Sequence, residues 1–283
     1  MQLLGMPVAQ GAEFVELINP LSKEHACLRM SIIPGLLRSV AYNLNHGVHD
    51  VQLYEVGTAF TISEGDKLPN EKALLAGVLT GSWNQQGWNE DARALDFFDA
   101  KGAIENLARE LCIPKLRFVA LAPADAPWLS DGQAAEVLSG SVRLGWLGTI
   151  HPRSAAAFEV AAPVVAFELD VASLLGVASD VREFEPLSSY PAVDLDIAIV
   201  VDTDVAAEKL VQVARSAGGK LLSEVRIFDV FTSARKLGEG KKSVALALSY
   251  RSQERTLTLE EVEKLHSKVV RKLEGATGGV IRS

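Results

Sequence analysis

Residues 28 to 60, LRMSIIPGLLRSVAYNLNHGVHDVQLYEVGTAF, limit the fold most: a helix bounded at both ends runs, after a short turn, into an apolar strand. Ser31 stands where an N-cap is needed. Pro34 falls in the first turn, where its missing N–H breaks no helical bond, and Gly47 takes the left-handed position past the helix end. Ile32, Ile33, Leu36, Leu37, Val40 and Leu44 recur at a period near 3.6, so one face is expected to be buried against a sheet or a partner. The strand from Val51 to Val56 holds one carboxylate, Glu55, in an otherwise apolar run, and a charge placed there needs a partner.

The remaining elements follow in order. Residues 14 to 18 (FVELI) read as a short strand, and Asn19 to Ser22 as a turn toward the helix. A polar loop at 63 to 71 separates the first apolar strand from a second at 74 to 81, and 83 to 88 (WNQQGW) is loop-like. A helix is expected from Asp96 to just before Pro114. Strands are then expected at 116 to 121, 134 to 138, 142 to 150 and 164 to 170. Connections this short make consecutive strands mostly antiparallel, since parallel pairs need a crossover of a dozen residues or more. The class is α+β.

From Val193 the pattern is strand (VDLDIAIVVD), helix, strand (LLSEVRIFDVF), hairpin, strand (SVALALSY), helix (LEEVEKLHSKVVRKLEG) and short strand (GGVIR). That order, βαββαβ, is the ferredoxin-like plan: a four-stranded antiparallel sheet with both helices on one face and the other face open. With Val193, Leu195, Ile197 and Ile199 toward the helices, Asp194 and Asp196 point to the open face, together with Arg226, Phe228, Ser249 and Arg251. Arginine beside an aromatic suits a stacked base. The same face also fits a solvated surface with cross-strand ion pairs.

Charge divides the chain in the same place. Residues 1 to 186 hold 13 Lys and Arg against 23 Asp and Glu, whereas residues 187 to 283 hold 15 against 13. A polyanion is repelled by the first region and tolerated by the second. The stretch from Gly176 to Ser189 has little apolar periodicity, so the expected layout is a sheet domain over 1–180, a linker over 181–189 and the ferredoxin-like domain over 190–283. With 48% hydrophobic residues the chain can build real cores. No apolar run reaches spanning length and the first residues lack the form of an export signal, which predicts a cytoplasmic protein. Cys27 and Cys112 have no paired spacing and read as buried thiols.

Other chemistry fails on its spacing. In LGEGKKS, at 237 to 243, Arg235 takes the place of the first glycine of a phosphate loop and Lys242 the place of its Ser or Thr, so the segment reads as a hairpin turn. His46 and His49 straddle a helix end with no third ligand, and no metal site is expected. His151 and His266 have no nucleophile or base pattern beside them. Glu260 and Glu261 start a helix, where they favour its dipole.

Longer motifs carry a resemblance. NPLSKEHACLRMSIIPGLLRSVAYNLNHG, VQLYEVGTAF, DFFDAKGAIENL and GWLGTIHP, in that order, resemble the catalytic-like module of the bacterial phenylalanyl-tRNA synthetase β chain. YPAVDLDIAIVV, FDVF, GKKSVALALSYRSQERTLTLEEV and the closing IRS resemble that family's ferredoxin-fold anticodon-binding domain. Together they cover almost the whole chain. The resemblance implies a class II synthetase-like antiparallel sheet without an active site, in an (αβ)₂ assembly whose α chain performs activation and transfer with ATP and magnesium. No catalytic residue and no cofactor are then expected on this chain, and neither a membrane nor DNA among its partners. Consistent with that, a class II site needs an arginine on the strand that carries the glutamate, and here Leu53 and Tyr54 precede Glu55.

The resemblance also names residues. The helix stripe Ile32, Ile33, Leu36, Leu37 and Val40 is expected to face the α chain as well as its own sheet. Tyr190, Arg226, Phe228, Lys241, Lys242, Arg251, Arg255 and Arg282 are expected to contact the anticodon stem-loop of tRNA(Phe). One departure bears on this: family members carry Arg-Asp shortly after the opening proline, whereas this chain has Leu195 before Asp196 and adds Asp194. Family β chains also carry upstream OB, editing and magnesium-ligand domains that these residues do not include, so no editing site is expected here. The alternative reading is a free-standing, non-catalytic paralogue that binds RNA or protein.

Overall fold

The computed structural model describes residues 12–20, 26–63, 68–84, 87–182 and 189–282. The chain divides into two compact units, Met1–Glu183 and Phe184–Ser283. Most of the expected linker lies outside the described residues. Among those residues no helix is long and apolar enough to cross a membrane, and no group of three or more His, Cys, Asp and Glu could hold a metal ion.

The first unit runs β1 (Ala12–Glu13), α1 (Ile33–Asn45), β2 (Val51–Ser63), β3 (Asn70–Thr80), α2 (Phe97–Glu110), β4 (Leu116–Ala120), β5 (Leu129–Ser139), β6 (Val142–Ile150), α3 (Pro152–Ala156), β7 (Val165–Asp170) and α4 (Val171–Val177). Its sheet has the order β1-β2-β3-β7-β6-β5-β4, and every pair is antiparallel. Side chains alternate between two cores along β7: Ala166 joins the core under α1, while Val165, Phe167 and Leu169 join the core under α2. This is the period-2 signature of a sheet covered on both faces.

The helix α1 keeps its expected stripe. Ile32, Ile33, Leu37 and Val40 are fully buried and Leu36 nearly so. All five pack in one core cluster with Val51, Ala76 and Val78 of the sheet. Helix α2 starts with a capping box: the Asp96 carboxylate accepts from the N–H of Phe98 at 2.8 Å, and the Asp99 carboxylate accepts from the N–H of Asp96 at 2.8 Å. Arg93 holds both oxygens of Asp99, at 2.9 and 2.6 Å, and its hydrogen bond keeps that carboxyl below the usual carboxylate range.

Three further expectations change. Residues 14–18 are not a strand; pairing is confined to β1 and an isolated bridge from Glu16 to Cys27. That bridge holds Cys27 at the surface, and Cys112 sits half-buried in the turn after α2 with φ 50°, so neither is a buried thiol. Two short helices were not anticipated. Each is set by a side-chain cap: His151 Nδ1 accepts from the N–H of Arg153 at 3.1 Å, and Asp170 accepts from the N–H of Ser173 at 2.7 Å.

The second unit runs β8 (Val193–Asp202), α5 (Ala207–Gly218), β9 (Leu222–Thr232), α6 (Ala234–Leu237), β10 (Lys241–Tyr250), α7 (Leu259–Thr277) and β11 (Val280–Arg282). Its sheet order β11-β8-β10-β9, antiparallel throughout, is the ferredoxin-like arrangement. The core lies between sheet and helices, with Ile197, Ile199 and Val201 from β8, Leu246 and Leu248 from β10, Leu210 and Ala214 from α5, and Val269 and Leu273 from α7. The expected hairpin between β9 and β10 contains the single turn α6, followed by Gly238 and Gly240 at positive φ.

Candidate nucleic-acid interface

Register decides which side chains share the open face of the second sheet. Ala247 of β10 stands between Asp196 of β8 and Arg226 of β9, and Ala245 between Ala198 and Asp229; Ala198 in turn faces Arg282 of β11. Ser249 stands between Asp194 and Glu224, and its hydroxyl donates to the Asp194 carboxylate at 2.5 Å. The middle of the face is therefore floored by Ala245, Ala247 and Ser249. Larger side chains flank that floor, including Arg226 on one side and Arg282 on the other.

The eight residues picked from the sequence separate on this geometry. Arg226 and Arg282 reach the open face and both are exposed. Phe228 is the extra residue of a β-bulge, opposite no residue of β10, and is 48% exposed. Tyr190 precedes β8 and is exposed. Lys241 lies at the end of β10, paired to Asp202 at 2.5 Å.

The other three are not brought to that face. Lys242 takes the opposite orientation on β10 and donates to the Thr203 carbonyl at 2.9 Å. Arg251 follows the strand, its N–H donating to the Leu221 carbonyl, and its Nε is buried without a partner among the described residues. Arg255 clamps both oxygens of Glu261 at 2.8 and 2.5 Å within the capping box of α7. That hydrogen bonding draws the Glu261 carboxyl down to about 2. Strand parity turns Lys242 to the other side of the sheet, and a helix start claims Arg255.

In the first unit, Glu55 finds the partner its strand demanded: Arg29 Nη1 donates to it at 2.5 Å, while Arg29 Nε donates to the Thr58 carbonyl at 2.9 Å. A cation does stand beside Glu55, but it comes from the segment before α1 and is held by backbone. Sequence reading missed a second carboxylate, Glu168 on β7. It is 9% exposed and accepts from the Ser31 hydroxyl at 2.7 Å and the N–H of Ile32 at 2.8 Å. Burial pushes its carboxyl above the usual value, against these hydrogen bonds.

The phenylalanyl tRNA synthetase beta chain CLM domain model matches residues 2–171. This chain belongs to the phenylalanyl-tRNA synthetase β-chain family. The ferredoxin-fold anticodon binding domain model follows it over residues 188–282. Among relatives, the phenylalanine–tRNA ligase beta subunit of Listeria monocytogenes is 38% identical over 269 residues, 95% of this chain and 33% of the relative. That of Bacillus subtilis is 39% identical over 263 residues, 93% of this chain and 32% of the relative. The chain thus spans about a third of the length of the relatives it matches. The solved structure of PylSc, a pyrrolysyl tRNA synthetase from Desulfitobacterium hafniense, covers 58% of this chain and 57% of its own at 16% identity and a TM-score of 0.42.

Proposed function

We propose that the chain acts as part of a phenylalanine–tRNA ligase β subunit, supporting a catalytic α chain and contacting the anticodon stem-loop of tRNA(Phe). The observation that carries this reading is the succession of the two family models along one chain, the second of them an anticodon-binding domain. Arg226, Phe228 and Arg282, with Tyr190 before β8, are the open-face candidates for base and backbone contact. Two cations and an exposed ring over a floor of small side chains leave room for a stacked base. Lys241, Lys242 and Arg255 add charge nearby, but each is engaged within the fold, and Arg251 is half-buried after β10. The chain itself supplies no catalytic group in this reading; ATP and magnesium are used by the α chain. The α-chain contact is assigned to the first unit, through its exposed side chains rather than through the buried stripe of α1.

Anisotropy of a fluorescently labelled tRNA(Phe) transcript, titrated with the full chain across a salt series, tests the RNA-binding part. Binding that weakens linearly in log salt supports it. No binding at low salt would sink it.

A further inference from the structure

A groove runs along the helical layer of the second unit, over α7 in one part and between α5 and α7 in the other. One part, about 630 Å³, is lined by Lys268, Arg271, Lys272, Gly275 and Ala276. The other, about 440 Å³, shares Lys268, Lys272 and Ala276 and adds Gln212 and Ser216 from α5. No carboxylate lines either part among the described residues.

The fold does not account for this concentration of charge. Lys264, Lys268 and Lys272 stand at i, i+4 spacing along α7, and like charges so placed weaken a helix. The helix dipole does not explain them, because its effect is confined to the last turn and the last turn of α7 holds no basic residue. Among the described residues, Lys268, Arg271 and Lys272 form no ion pair. Gly275 lines the groove, and, as at Gly35, Gly102 and Gly176 in other helices, the space above it is open. Glycine inside a helix is unfavourable, yet a Cβ there would meet nothing within 4 Å, so the chain's own packing does not require it. Bare backbone at that point admits a close approach from outside.

The opposite face is poorly suited to phosphate. Asp194, Asp196, Glu224 and Asp229 share it with Arg226 and Arg282, leaving an excess of carboxylates. A phosphate backbone needs local positive charge, and Lys268, Arg271 and Lys272 stand together on the helical side with no carboxylate among the described residues lining the groove.

We propose that the α5–α7 groove is a binding surface for the phosphate backbone of RNA, with Lys268, Arg271 and Lys272 as the phosphate contacts. The inference rests on the RNA-binding reading above and moves the main electrostatic contact from the open sheet face to the helices. The open face then contributes through base stacking at Phe228 rather than through charge.

The test compares tRNA(Phe) transcript binding by the full chain with two double variants, Lys268→Glu/Lys272→Glu and Arg226→Glu/Arg282→Glu, across a salt series. The groove variant is expected to lose at least about tenfold in affinity, and its log K against log salt slope to fall by about 2, one for each phosphate contact removed. Lys268→Arg/Lys272→Arg is expected to bind as the parent does, and unchanged circular dichroism of the glutamate variant separates lost contact from lost fold. A groove variant that binds with unchanged affinity and slope overturns this inference alone, most clearly if the open-face variant loses binding. A parent chain that binds no RNA overturns the functional reading and this inference together.

Discussion

The Ser31 hydroxyl donates to the buried Glu168 carboxylate at 2.7 Å across 137 residues of chain, and the N–H of Ile32 donates to the same oxygen at 2.8 Å. The start of α1 is thus closed by a carboxylate from the middle of the sheet. Ser31 does not serve as a simple cap: the N-cap residue is Ile32, already in helical backbone, while the Ser31 oxygen accepts from the N–H of Ile33 at 3.2 Å. A helix start leaves N–H groups without intrahelical partners. Here sheet and helix satisfy them jointly, which ties the two layers together.

Glu168→Ala is therefore expected to cost about 2–3 kcal/mol, because it leaves buried donors without an acceptor. Glu168→Gln keeps an acceptor oxygen and is expected to stay within about 1 kcal/mol of the parent. Burial raises the folded-state pKa of Glu168 above 4.5. Its contribution is then fully present below that value and is lost as pH rises through the folded-state pKa. The glutamine variant should lose this pH dependence. Urea unfolding at several pH values reads both effects; an alanine variant as stable as the glutamine one would contradict the assignment.

Gly145 on β6 lies against the backbone of Glu168. A Cβ added there would overlap the Glu168 carbonyl oxygen and crowd the Leu169 Cα at 2.8 Å. Because backbone in a central strand cannot move aside locally, Gly145→Ala is expected to cost about 3 kcal/mol or more. An unchanged melting temperature would show that the strands separate freely at this point.

His266 of α7 faces Tyr250 of β10, with 3.1 Å between Nδ1 and the hydroxyl. Burial pushes the tyrosine up to about 12, so its hydroxyl keeps its proton and can donate to a neutral imidazole. Burial also lowers the histidine below 6.5. A histidine with a depressed folded-state pKa contributes stability that is present above 6.5 and is lost as pH falls below 6.5 through the lower folded-state value. Unfolding by circular dichroism should show His266→Gln losing less stability than the parent between neutral and mildly acidic pH; equal losses would refute the coupling.

Asp96→Ala removes the acceptor for the first N–H groups of α2, and a loss of about 1 kcal/mol is expected. Asp96→Asn should recover most of it, measured by the same urea titration.

Much of this architecture was legible in the residues because local pattern and global fold agree. The run VDLDIAIVVD spans β8 from end to end, since strict alternation leaves a strand no other register with its apolar side inward. Where the reading failed, the deciding contact was either short or distant. Helices of five and seven residues, α3 and α4, are too brief to show a period, and only the caps at His151 and Asp170 betray them. The role of Glu168 depends on Ser31, far away in sequence. In the candidate interface, parity placed Arg226 and Asp196 correctly, but no strand rule covers Arg255, which a helix start claims through Glu261. Lys268 and Lys272 went unremarked in the sequence, because part of the surface they share is formed only when α5 packs beside α7.

The central claim is that this chain is part of a β subunit that supports another chain. Size-exclusion chromatography with light scattering, on the chain mixed with a phenylalanine–tRNA ligase α chain from the same source, tests it most directly. The account predicts one shared peak whose mass exceeds either chain alone. Separate elution of the two chains at concentrations where the ligase is assembled would contradict it.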